Sequence, residues 1–368
     1  MKTWDDFLSL LDGIVESPPP FYKAERNDVT IGEPIGVPLY LILDLVSNTS
    51  AAYALFTDPT FNKPLRDLLD SWGKYLTTKS SSALLTDEYW FSKEGLAVLE
   101  AGLGKLTFWE TYEVDNPNPP GPYYNSWDRF FTREFKDNAL RPVQPGFVTN
   151  ACECTVLRTA KDIQINDTFW LKEQNYSIYD ILGGGEEGSL AKYADYFEGG
   201  SVYQAFLSPA DYHRWHSPVK GKVVESKLLE GTYYAVLPDD GAPPYDPDLE
   251  PGDPHGALIR SQPWLSVSST RAVYIIQPTD PALHLKWVAF VAIGMAEVST
   301  CEIYPNLTDV EAGTEIGLFH FGGSSHTLLL KPEDGYEVVF QDVYETPIRP
   351  GQHRWINSGI AQVREIPK

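Results

Sequence analysis

Apolar residues recur three and four apart in the first third of the chain, and in alternation or short unbroken runs in the rest. Trp4, Phe7, Leu8 and Leu11 mark one helix face. Leu39, Ile42, Leu43 and Val46 mark a second, and Phe61, Leu65, Leu68, Leu69 and Trp72 a third. This spacing gathers side chains on one side of a 3.6-residue turn. Asp58-Pro59 and Lys63-Pro64 read as helix starts, because proline is tolerated in the first turn. Residues 1–115 therefore read as helical, with each stripe packed as helix–helix core. The prolines and glycine of Asp115–Pro122 can continue neither a helix nor a central strand. They divide the chain into a helical N-terminal domain over 1–118 and a second domain over 119–368. Trp127–Phe135 reads as a short amphipathic helix with Arg129 and Arg133 one turn apart.

From about residue 147 the pattern changes to strands. Ser201–Leu207, Lys222–Leu229, Val273–Ile276, Lys286–Ile293 and Glu337–Phe340 are predicted strands, separated by Gly, Pro and Asp clusters. The stretch from Gly317 to Leu330 predicts two more, joined by Gly322-Gly323-Ser324-Ser325. The whole reads as an α+β protein, its helical domain packed on a mainly antiparallel core. Val219–Val223 and Glu311–Gly317 suggest strands turning closely enough for a barrel-like sandwich.

Composition narrows the function. The 368 residues are 42% hydrophobic and 22% charged, an ordinary globular balance. The formal charge of −22 repels nucleic-acid phosphates and anionic lipid surfaces, so no nucleic-acid partner is expected. Three cysteines make no disulfide framework and point to a reducing compartment. The N-terminus lacks the layout of a signal peptide. The longest apolar run, near Pro38–Val46, is broken by Asp44 and is too short for a membrane span. A cytoplasmic protein is expected. The loop Leu237–Gly256 carries Asp239, Asp240, Asp246, Asp248, Glu250 and Asp253, but it fits no calcium-loop spacing and reads as a solvated acidic loop. No metal site is expected.

The chemistry gathers in two stretches. Paired glycines permit backbone conformations closed to other residues and let another group approach a carbonyl carbon. A hydroxyl follows them at Ser324. That is the local requirement for an N-to-O acyl shift, in which Ser324 Oγ attacks the carbonyl of Gly323. The second stretch, Leu207–Gly221, holds His213 and His216. A metal would need further ligands, whereas a general base needs only a nucleophile brought near. A hairpin of small residues and two packed histidines is the plainer alternative.

Asp211-Tyr-His-Arg-Trp-His-Ser-Pro-Val-Lys-Gly resembles the Asp-Tyr-His-Arg-x-His-x-Pro signature of the phosphatidylserine decarboxylase family. Trp127–Phe135 followed by Arg141-Pro142 resembles that family's Phe-Phe-Thr-Arg…Arg-Pro segment, and Gly322-Gly-Ser-Ser325 its self-cleavage motif. The resemblance implies a pyruvoyl group made from Ser324 by cleavage after Gly323, with the two pieces staying together. It implies His216 as base in self-cleavage and His213 in decarboxylation. The family's third cleavage residue is an aspartate in an Ala-Asp-Gly context. Here Ala151-Cys152-Glu153 stands there instead, which leaves Glu153 as the candidate orienting acid one position late. On a strand, that offset would point it to the opposite face. Ser325 is a candidate donor to the developing oxyanion, and His326 reads as a packing histidine. The pyruvoyl carbonyl would form a Schiff base with the substrate amine and withdraw electrons as CO₂ leaves.

Ala210–Pro218, Ile293–Glu302, Leu318–Ser325 and parts of the N-terminal region resemble the L-tryptophan decarboxylase branch. This implies a free amino acid substrate, tryptophan giving tryptamine. Trp215 and Phe321 are candidate walls of an indole pocket, with core packing the favoured role. The alternative the family offers is phosphatidylserine converted to phosphatidylethanolamine.

Overall fold

Side-chain caps start the helices of the first third. The computed structural model describes residues 3–26, 29–33, 38–118, 120–165, 177–244, 249–297 and 300–367. Helix α1 spans Trp4–Val15, α2 Pro38–Ser47, α3 Ser50–Phe56, α4 Pro59–Leu76, α5 Lys93–Leu99, α6 Phe108–Thr111 and α7 Trp127–Phe131. Thr3, Thr49, Asp58, Ser92, Thr107 and Ser126 each accept a backbone N–H of the first turn, satisfying a donor the helix itself leaves free. Asp58 with Pro59 begins α4 as expected. Lys63-Pro64 does not begin a helix: Pro64 lies inside α4, where it costs one intrahelical hydrogen bond. The first third is also not wholly helical, because β1 (Tyr22–Arg26) and β2 (Val29–Glu33) form an antiparallel hairpin.

The remaining strands are β3 (Val148–Thr149), β4 (Cys154–Lys161), β5 (Ser201–Leu207), β6 (Arg214–His216), β7 (Gly221–Leu229), β8 (Arg271–Pro278), β9 (Leu285–Met295), β10 (Cys301–Ile303), β11 (Asp309–Val310), β12 (Glu315–Phe319), β13 (Gly323–Pro332), β14 (Tyr336–Phe340), β15 (His353–Arg354) and β16 (Gly359–Glu365). Eight of them form one sheet in the order β11-β7-β8-β9-β13-β5-β4-β15. Two three-stranded sheets accompany it, β10-β12-β6 and β14-β16-β3. The ladders between these strands are antiparallel, and the expected α+β class holds. The barrel does not. β11 and β15 end the large sheet without pairing to each other, so it stays open and its two faces are covered instead.

Trp215 of β6 packs on Phe290 of β9, with ring centroids 5.6 Å apart, so the β10-β12-β6 sheet covers one face. Helices over Ile178–Ile181 and Gln262–Ser268 cover the other. Leu328, Leu329 and Leu330 of β13 lie fully inside. Of the acidic loop, Asp239 pairs with Arg260 and Asp253 with His255. Asp246, Pro247 and Asp248 lie outside the described residues, as do Pro119 and the Val298-Ser299 pair of the Ile293–Glu302 stretch.

Candidate active site

Gly322 has φ +132°, a conformation a side chain would strain. The next residue starts β13, which lies between β9 and β5. Gly323 pairs with Met295, and Ser324 pairs with Gly294 on one side and Leu207 on the other. Ser324, Ser325, His326 and Thr327 are fully buried. Among the described residues, none of their side-chain polar atoms has a hydrogen-bond partner. Buried polar groups are usually paired, and each one left unpaired costs roughly 1–3 kcal/mol. Four in succession on a central strand are not what a structural hairpin would keep. Alternation puts Ser324 and His326 on one face, where the His326 ring lies 5.6 Å from Tyr203 and 6.0 Å from Phe290. Ser325 and Thr327 point to the opposite face.

The two histidines flank β6. His213 comes just before it, and its carbonyl accepts the N–H of Phe319 at 2.9 Å. From Phe319 the chain turns through His320–Gly322 into β13. The His213 ring stacks on Phe131 at 3.9 Å, and Phe131 meets Phe321 edge-on at 5.5 Å. His213 therefore stands beside the turn that leads to Ser324. Burial, and secondarily the Arg133 charge, hold it well below the ordinary histidine range, so it is neutral. Neither of its ring nitrogens has a hydrogen-bond partner among the described residues.

His216 ends β6. Its Nε2 lies 3.3 Å from the Tyr212 hydroxyl, and its Nδ1 has no partner. Burial pulls its pKa down to about 4, against the Glu315 charge and the neighbouring Asn357 side chain, which act to raise it.

Glu153 lies in a bend over residues 151–153, before β4 begins at Cys154. Strand alternation therefore does not govern where it points. Its Oε1 and Oε2 accept from Arg141 Nη2 and Nε at 2.8 and 3.0 Å, and Oε2 also takes Ile356 N at 3.4 Å. No hydrogen bond joins it to either histidine among the described residues. Asn357, beside His216, donates Nδ2 to the Arg141 carbonyl at 2.9 Å. Cys152 and Cys154 are both buried thiols, and Cys154 Sγ lies 3.6 Å from the Tyr203 hydroxyl.

One contributor, His353, escapes the sequence reading, and so does the role of another, Arg133. His353 pairs with Asp211, the first residue of the histidine motif, at 3.2 Å. Burial opposes the charged ring, but the hydrogen bond and charge of Asp211 outweigh it and raise the His353 pKa. Arg133 is fully buried and donates to the carbonyls of Ala210 and Asp211. It thereby holds the segment that carries His213. It lies past the end of α7 and is no helical partner of Arg129, which stays on the helix and faces Glu113, Asp115 and Glu134. Trp215 is core, packed between Phe290 and Phe319. Phe321 lines a cavity beside α4.

The chain matches the phosphatidylserine decarboxylase family model over residues 127–352 and a second model of that description over residues 1–99. It is 42% identical to the decarboxylase iboD of Amanita muscaria over 97% of this chain and 100% of that protein. It is 31% identical to the L-tryptophan decarboxylase of Psilocybe cubensis over 98% of this chain and 82% of that one. A phosphatidylserine decarboxylase proenzyme from Stutzerimonas stutzeri is 29% identical over 57% of this chain and 68% of its own length. Among the described residues no helix is long and apolar enough to cross a membrane. With a family model spanning both histidines and the glycine–serine turn, and a decarboxylase relative aligned along nearly its full length, the chain belongs to the phosphatidylserine decarboxylase family, carboxy-lyases whose pyruvoyl group is made from a serine by autocatalytic cleavage.

Proposed function

We propose that this chain decarboxylates a free aromatic amino acid, L-tryptophan to tryptamine and CO₂, after cutting itself between Gly323 and Ser324. The reading rests on the buried hydroxyl of Ser324, which follows two glycines and has no partner. These residues fit a prosthetic group made from the chain itself: a buried nucleophile without a donor or acceptor among the described residues, a glycine carbonyl before it, and the neutral His213 imidazole beside the turn that leads to it. In this reading residues 1–118 and 119–368 are the two domains.

In maturation, Ser324 Oγ attacks the Gly323 carbonyl carbon and gives its proton to a neutral imidazole. We assign that base to His216, whose Nδ1 is unengaged. The peptide becomes an ester. Loss of the Ser324 Cα proton expels Gly323 as a carboxylate and leaves dehydroalanine, which tautomerises and takes up water as ammonia departs. Glu153 acts as a positioning residue, fixing Arg141 and Ile356 and through them Asn357 beside His216. Ser325 follows the cut with its side chain on the sheet face opposite to that of Ser324, where it would have to turn to steady an oxyanion at Gly323.

The pyruvoyl group supplies a carbonyl that takes up the substrate amine and an electron sink as CO₂ leaves. His213, neutral and stacked on Phe131, is assigned to take the proton that the substrate ammonium gives up and to return it to the substrate carbon after CO₂ has left. The aromatic walls around it exclude water.

The free amino acid is favoured over a phospholipid by the net charge of −22, which opposes docking on an anionic bilayer. Likeness to the Psilocybe L-tryptophan decarboxylases runs along 98% of the chain. The test is an assay of purified protein with free L-tryptophan and, separately, with phosphatidylserine vesicles. Tryptamine is expected from the first and nothing from the second, and the reverse result would overturn the reading. On denaturing electrophoresis the protein should run as Met1–Gly323 and Ser324–Lys368, and Ser324→Ala as one chain.

A further inference from the structure

A cavity of about 300 Å³ lies between α4 and the turn joining β12 to β13, within the size range of small-molecule sites. Leu69, Trp72 and Leu76 line it from the helix, and Phe321 from the turn, three residues before Ser324. The Trp72 and Phe321 rings meet edge-on at 4.9 Å. Glu297 also lines this cavity. It stands two residues past Met295, the partner of Gly323 in the central ladder.

Glu297 is only 5% exposed. Its Oε1 accepts the backbone N–H groups of Leu39 and Tyr40 at 2.7 and 2.9 Å, at the start of α2. Its Oε2 has no hydrogen-bond partner among the described residues. Burial pushes this carboxyl up to about 7, although the backbone donors pull the other way. A buried carboxylate with one undonated oxygen therefore stands at the wall of an aromatic-lined space, a costly state unless something bound there donates. Asp70, Lys74, Asp128 and His320 also line the cavity, and the His320 ring is already taken up between Asp128 and Glu302.

We propose that this cavity takes the side chain of the amino acid substrate, and that Glu297 determines specificity by accepting a hydrogen bond on Oε2 from a ring N–H. The inference rests on the substrate reading above and sharpens it. An indole offers one N–H and no acceptor, and its rings suit the Trp72 and Phe321 walls. A ring without that donor leaves the buried oxygen unpaired. Sites built around a buried polar contact reject analogues that lack it far more strongly than apolar pockets reject a methylene. The phosphodiester of a phospholipid would bring a second negative charge to the carboxylate.

Glu297→Gln is the discriminating variant. The amide oxygen can still serve Leu39 and Tyr40, which puts its NH₂ into the cavity and sets donor against donor. For the variant, kcat/KM on L-tryptophan should fall about 100-fold, mostly through KM. 3-(3-Benzothienyl)alanine has the same shape with sulfur in place of the N–H. The wild type should discriminate against it, and the variant should treat the two substrates alike. Self-cleavage, read on a denaturing gel, should be intact and reports folding. Gly73→Leu is the second variant. Gly73 lines the cavity and a Cβ there meets nothing within 4 Å, so leucine fills the space without crowding α4. It should raise the KM for tryptophan at least about tenfold, the loss expected when a small pocket is blocked by several methylenes. If Glu297→Gln loses both substrates equally or neither, or if Gly73→Leu leaves KM unchanged, the assignment is wrong while the substrate reading stands. A wild type inactive on tryptophan sinks the substrate reading and the assignment together.

Discussion

Arg141 grips Glu153 with both arms of its guanidinium, Nε 3.0 Å from Oε2 and Nη2 2.8 Å from Oε1, where neither side chain is more than 2% exposed. Taking one partner from such a pair leaves an uncompensated buried charge, which costs roughly 3–5 kcal/mol. Replacing both with apolar residues of similar volume is often neutral. Glu153→Gln, in a Ser324→Ala background that remains one chain, should lower unfolding stability by about that amount in urea. Arg141→Met with Glu153→Leu should recover most of it. With Ser324 present, the double variant should still cleave slowly, because Ile356 N loses its acceptor and the turn that carries Asn357 beside His216 is left less firmly held. Full recovery of the cleavage rate would reduce Glu153 to a stabilising role.

Arg133 tests the His213 segment in the same way. It donates to Ala210 and Asp211 carbonyls, and its guanidinium lies 4.5 Å over the Tyr112 ring. Lysine keeps the charge but loses the fork. Arg133→Lys and Arg133→Met should both lower kcat, by about 10- to 100-fold if the imidazole shifts by a fraction of an ångström. Only Arg133→Met removes the positive charge that helps to keep His213 neutral. A base relieved of a nearby cation protonates more easily, so the acid limb of kcat against pH should move to higher pH in Arg133→Met alone. Identical profiles in the two variants would show that the charge does not reach His213.

The strands were legible where burial is two-sided. Ser201–Leu207 is predicted and observed with the same limits, and the leucines of β13 announce a central strand. Asp58-Pro59 is legible because a cap is a local interaction. Closure of the sheet is not local: it depends on whether β11 meets β15, and alternation within either strand is the same in an open sheet or a barrel. The hairpin at Tyr22–Glu33 has too few apolar residues to stand out. In the site, Ser324 and the two histidines are marked by motif, but Asp211–His353 joins positions 142 residues apart, and nothing near His353 distinguishes it from a surface histidine. At Glu153 strand alternation is the wrong guide, because the chain bends there before β4 begins.

The buried histidines make stability depend on pH with a defined sign. Burial lowers His216 to about 4 and His326 to about 3, and holds His213 well below the ordinary value of 6.5. Below 6.5 the unfolded chain binds protons that these folded residues refuse, so stability must fall as the pH drops. His353 and His320 run the other way. Their carboxylate partners outweigh burial and raise them, so their contribution is present below 6.5 and lost as pH rises through the raised values. The acid loss is worth about 1.4 kcal/mol per pH unit for each depressed histidine. His326→Leu in the Ser324→Ala background should flatten the urea midpoint against pH between 6.5 and about 3 by one histidine's share. An unchanged slope would mean that His326 is protonated in the folded protein.

Cleavage before Ser324 should leave the two pieces locked together, because the smaller one supplies the middle of the molecule. Ser324–Lys368 contains nearly all of β13 and all of β14, β15 and β16. β13 is paired along its length with β9 on one side and β5 on the other. β15 pairs with β4 and β16 with β3, so both ends of the piece are held as well. Each of Leu328, Leu329 and Leu330 is fully buried, worth roughly 1.5–3 kcal/mol apiece against exposure. Withdrawing the piece would also strip the ladder hydrogen bonds from two neighbouring strands. The cleaved protein should therefore elute as one species in native size exclusion and show two bands only under denaturing conditions. After full denaturation, its refolding yield should rise with concentration, since two chains must meet. The uncut Ser324→Ala protein should refold independently of concentration. Loss of the small piece on a native column would show that the central strand is not held as its pairing implies.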